Sequence, residues 1–72
     1  MLFIECSALK GKKANISLFN IIGHLVRNLE LKEGYNALQQ LDLDGLSEGM
    51  YMLRMMDEKG GFIKSKRIVI SK

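Results

Sequence analysis

The chain has no proline and no tryptophan, one cysteine and one histidine among its 72 residues. Each scarcity removes a class of protein. A lone cysteine, Cys6, forms no internal disulfide, and one Cys with one His falls short of a zinc ligand set. A Cys–His nucleophile pair also needs an orienting third group and a pocket, and Cys6 with His24 has no clear partner beyond Asn20 or Asn28. Without proline, no strand edge is blocked against pairing by that residue. No apolar run approaches the roughly 20 residues of a membrane-spanning helix. Met1-Leu2-Phe3-Ile4 is interrupted by Glu5, so it is no signal-peptide apolar region. Catalytic, cofactor and metal sites are therefore all expected to be none. Asp42, Asp44, Gly45 and Glu48 lack the spacing of a calcium loop, and Gly11-Lys12-Lys13 lacks the upstream glycine of a phosphate loop.

What is present is period-two hydrophobicity divided by glycine. Hydrophobic content of 47% suits one small globular domain. Residues 14 to 20 alternate, with Ala14, Ile16 and Leu18 on one side, as a half-buried strand requires. Asn20 to Gly23 is the expected reversal, because asparagine bonds nearby backbone and glycine takes positive φ. Ile21 and Ile22 are apolar for such a turn and are expected to fold over an open end of the core. Residues 24 to 31 return, with a bulge expected near Leu25-Val26 where the apolar parity switches. A helix over 18–31 is the competing reading, since Leu18, Ile21, Ile22, Leu25, Val26 and Leu29 also fit a 3.6 period. Residues 2 to 9 are an irregular first strand in which Cys6 is expected to be buried. Lys10-Gly11-Lys12-Lys13 is a turn, and Tyr35 to Gln40 leads into the strand ending at Leu43.

The organising stretch is Asp42 to Arg54. It holds a polar turn between Gly45 and Gly49, then a strand with Tyr51, Leu53 and Met55 on one face and Met50, Met52, Arg54 and Met56 on the other. Leu43, Leu46, Tyr51, Leu53, Leu18 and Ile16 form the expected core. Lys59-Gly60-Gly61 is the last hairpin turn. Residues 62 to 71 form the final strand, whose Ile68-Val69-Ile70 run suits a strand covered on both sides or awaiting a partner. The pattern predicts an all-β fold, a small immunoglobulin-like antiparallel β-sandwich of six to seven strands. The net charge of +3 is read as solvated turn and edge lysines. Nucleic-acid binding is not expected without aromatic platforms or a recognition helix.

Gly45-Leu46-Ser47-Glu48-Gly49-Met50-Tyr51 resembles the G-L-x-x-G-x-Y segment of the C-terminal sorting domain of the Bacteroidetes type IX secretion system. Three more pieces resemble that family in order. They are Leu18 to Val26, with its aromatic-Asn-x-x-Gly hairpin, Leu41-Asp42-Leu43 before the turn, and Gly61 to Lys72 as a lysine-led terminal strand. The resemblance spans roughly residues 14 to 72. His24 stands where an amide is common, Arg67 where an apolar residue is usual, and residues 2 to 9 match nothing diagnostic. The resemblance implies a non-catalytic C-terminal export signal of a larger secreted protein, with residues 1–72 as one domain. The domain would pass through the periplasm and reach the cell surface or medium. Its implied partners are the secretion machinery and a sortase-like peptidase that removes it. Gly23, Leu46, Gly49 and Tyr51 are the expected fold signature; Lys66, Ile68, Val69, Ile70 and Lys72 are the expected recognition residues. A terminal strand free to detach also predicts a homodimer by strand swapping or edge pairing. The alternative is a structural or carbohydrate-binding accessory sandwich of a surface protein.

Overall fold

The computed structural model describes residues 2–6, 12–34 and 36–71. Six strands follow in order: β1 (Leu2–Glu5), β2 (Ala14–Asn20), β3 (Leu25–Leu31), β4 (Leu38–Leu41), β5 (Gly49–Asp57) and β6 (Phe62–Ile70). Every pairing is antiparallel. β1 and β4 make one sheet; the other runs β3-β2-β5-β6. The fold is the expected all-β sandwich. The first strand ends at Glu5; residues 7–9 of its expected span lie outside the described residues, as do Lys10, Gly11 and Tyr35.

β2 and β5 sit at the centre of the larger sheet because their alternation is cleanest. Ile16 lies opposite Met55 on one side and Leu29 on the other, and Leu18 lies opposite Leu53. These side chains meet Ile4, Cys6 and Leu41 from the smaller sheet in one buried cluster. Ile16, Leu18 and Cys6 are fully buried. Burying an aliphatic side chain of this size stabilises by about 1.5–3 kcal/mol. Of the expected core, only Leu43 is half-buried, and it still packs on the cluster.

Residues 18 to 31 form a hairpin, not a helix. Asn20 decides the reversal. Its side-chain Oδ1 accepts from Ile22 N (3.1 Å) and His24 N (2.9 Å), and its carbonyl accepts from Gly23 N (3.0 Å). Gly23 sits at φ +87°, where a side chain would strain the backbone. Leu18 pairs with Arg27 and Phe19 with Leu25, so Val26 is the extra residue of a bulge. That bulge turns Val26 onto the core and leaves Leu25 exposed. Ile21 and Ile22 do not fold over the core. They stand 80% and 72% exposed, because the Asn20 bonds hold the turn outward, in line with the hairpin.

Candidate functional site

The Asp42 to Gly49 stretch crosses between sheets. β4 belongs to the smaller sheet and β5 to the larger, so the turn carries the chain over the core's end instead of closing a hairpin. Asp42 Oδ1 accepts from Asp44 N (2.9 Å), and Leu43 O accepts from Leu46 N (3.1 Å). Leu46 is then driven into the core, 8% exposed. The Tyr51 hydroxyl donates back to Ser47 O at 2.6 Å, fastening the crossing to the strand it feeds. Gly45 and Gly49 have φ of +85° and +149°. Nothing lies within 4 Å of a side chain built at Gly49, so backbone conformation alone calls for glycine there. Gly23 lies at the neighbouring hairpin, and one cleft is lined by residues of both turns, including Asn20, Ile22, Leu46, Gly49 and Tyr51.

Arg27 completes this end of the molecule and was not singled out from sequence. It lies opposite the core residue Leu18. Its guanidinium reaches across to the carbonyls of Asp42 (3.0 Å from Nε) and Asp44. The available signal was a charged residue sharing the parity of Leu29 and Leu31. Such a residue needs polar partners, and the crossing supplies two orphan carbonyls.

β6 pairs only with β5, so its other edge carries no strand among the described residues. Register places Lys64, Lys66, Ile68 and Ile70 on the face of Met55, Leu53, Tyr51 and Gly49, the core side. Ser65, Arg67 and Val69 face outward with Arg54, Met52 and Met50. The expected recognition residues therefore divide. Ile70 is buried and Ile68 half-buried, whereas Lys66 is exposed and Val69 is 65% exposed. Lys72 lies outside the described residues. Arg67 departs from the apolar pattern at no cost in burial, since it points to solvent. A bulge at Ile63 precedes this run, because Met55 pairs with Lys64 and Met56 with Phe62.

His24 is exposed beside its turn and Cys6 is buried directly after β1. Burial, and after it the nearby Glu5 carboxylate, push the Cys6 thiol above its ordinary value of 9.0. A thiol held in its protonated form is a poor nucleophile. Among the described residues no three His, Cys, Asp or Glu side chains gather as a metal site, and no helix is long and apolar enough to cross a membrane.

The family model described as a secretion system C-terminal sorting domain matches residues 1–71. The match takes in β1, which the sequence motifs alone left out. No curated protein and no solved structure matches the chain.

Proposed function

The chain belongs to the secretion system C-terminal sorting domain family, and on that premise we propose that it works as a folded export tag read at its terminal strand. As a type IX sorting domain it directs export across the outer membrane to the cell surface or the medium, and it interacts with the secretion machinery. The finer reading is ours: the attached cargo passes through the periplasm, and a sortase-like peptidase then removes the tag. The domain itself does no chemistry in this scheme.

The observation that carries the reading is the position of β6. Its Ile68-Val69-Ile70 run lies at a sheet edge with one side unpaired among the described residues. Main-chain groups on such an edge give affinity, and alternate side chains give specificity. Ile70 and Ile68 anchor the strand while Val69 and Lys66 are presented. The same edge supports pairing between two copies at high concentration.

A carbohydrate-binding role has less support. Phe3 and Phe62 are exposed, but they stand on different sheets and make no continuous platform.

Deleting residues 68 to 72 is a poor test, because removing Ile70 strips the core. Val69→Glu and Lys66→Glu change exposed positions and leave the core intact. In a cargo fusion each is expected to fold, by near-wild-type thermal midpoint, and to lower secretion several-fold. Full secretion by a folded double variant would refute recognition through this strand.

A further inference from the structure

The two sheets are unequal, two strands over four. The mismatch shows at β6. Lys64 and Lys66 lie on its core-side face, opposite Met55 and Leu53, yet both are exposed. Between β1 and that face runs a groove of about 210 Å³. Ile4, Leu53, Met55 and Ile68 line it with apolar surface; its charged lining is Lys64 and Lys66 on the β6 side and Glu5, which has an interaction of its own, on the β1 side. The groove thus opens onto the margin of the core, although Ile4, Leu53 and Met55 themselves stay buried.

The strand beside the groove has backbone to offer. Cys6 N donates to Ala37 O, so this pair faces across the β1–β4 ladder. Antiparallel strands alternate the side to which their peptide groups point. Register then directs Ile4 and Leu2 toward β4, opposite Gln39 and Leu41. Phe3 turns its N–H and C=O the other way, toward the groove.

We propose that this groove receives a seventh strand from a partner protein, an extended acidic segment that adds to the edge of β1. Its volume lies below the roughly 300–1,000 Å³ typical of small-molecule pockets, and a few side chains of one strand face would fill it. Charge selects the segment. Neither Lys64 nor Lys66 makes a hydrogen bond or ion pair among the described residues, so an inward glutamate or aspartate between them gains two cationic neighbours. Apolar residues two positions away would cover Ile68 and Leu53. The assignment does not rest on the sorting reading, since binding in solution decides it whatever export shows.

The test uses the full chain labelled with ¹⁵N and a blocked peptide, acetyl-Thr-Val-Thr-Glu-Thr-Glu-Thr-Val-amide. A control peptide has both glutamates replaced by lysine. The acidic peptide is expected to bind at concentrations up to about 1 mM, to slow exchange of the Phe3 amide and to shift the resonances of Lys64, Lys66 and Ile68. The double variant Lys64→Glu/Lys66→Glu, altered only at exposed positions, is expected to reverse the preference in favour of the basic peptide by about tenfold. Absence of binding overturns the proposal. So does binding that ignores the charge reversal, protection appearing on β6 instead of Phe3, or a concentration-dependent dimer that buries the groove without peptide.

Discussion

Tyr51 does two things at once. Its ring is buried among Leu46 and the other core residues, and its hydroxyl reaches the Ser47 carbonyl. Tyr51→Phe keeps the ring and removes only the bond, so denaturant unfolding should show a loss of about 0.5–1.5 kcal/mol. Amide exchange in residues 44 to 48 should quicken more than elsewhere. Leu53→Ala removes packed volume beneath both sheets and should cost roughly 2–5 kcal/mol. Val69→Ala, at an exposed outward position, should change stability by no more than about 0.5 kcal/mol. Equal melting midpoints for these two variants would contradict the assigned strand faces. A Cβ at Gly49 meets nothing within 4 Å, so Gly49→Val is penalised first by forcing a side chain to adopt φ +149°, which costs on the order of 1–3 kcal/mol. Gly49→Ala should be nearly as damaging, because the penalty is conformational. Cys6 gives a pH signature. Its folded-state value lies above 9.0, so its contribution to stability is complete below pH 9.0 and is lost as pH rises from there through the folded value. Replacing Cys6 with alanine should flatten that part of the alkaline decline, and alkylation of the wild-type thiol should require unfolding.

At the scale of elements, the two long hairpins behave alike for the same reason. Asn20 organises the β2–β3 turn from its first position. Asp57 organises the β5–β6 turn in the same manner, its Oδ1 accepting from Lys59 N (3.0 Å) and Gly61 N (2.7 Å). The glycine pair at 60 and 61 was evident in sequence; the aspartate's part was not, because it lies at the end of a strand. Asp57→Ala should therefore loosen the β5–β6 register and weaken protection along β6, while β2–β3 amides keep theirs. The crossing at residues 42 to 48 differs from both. It looks like a hairpin locally, since its turn residues and flanking strands are those of one. Only the pairing of β4 with β1 makes it a bridge between sheets, and Arg27 from β3 is what ties it down.

The molecule is a slab with extents of 33 × 21 × 15 Å, and a domain this small leaves a modest margin of stability. Its exposed apolar residues are unevenly placed. Ile21, Ile22, Leu25, Met50, Met52 and Val69 belong to the outer face or to the adjoining hairpin turn of the larger sheet. Arg54 stands over the Phe19 ring at 5.7 Å on that same outer face, where a cation over an aromatic face gains modest attraction. With unpaired edges at β3 and β6 among the described residues, association should begin there. Light scattering is expected to show a monomer at low concentration and growing dimer at high concentration. Val69→Lys should suppress that dimer by placing charge on the β6 edge. A dimer unchanged by this substitution would move the contact away from β6.

The period-two patterns of residues 14 to 20 and 50 to 57, and the asparagine and glycine turns, determined the strands, the central hairpin and most of the core, because those signals are local. Register placed the Val26 bulge where the apolar parity changed. Three things needed the tertiary structure. Which sheet β4 joins depends on β1, nearly 40 residues away in sequence, and no local pattern encodes that partner. The division of the terminal run into buried Ile70 and presented Val69 depends on the edge position of β6. The groove beside β1 exists only because two strands were laid over four, an imbalance between sheets that no single strand's sequence carries.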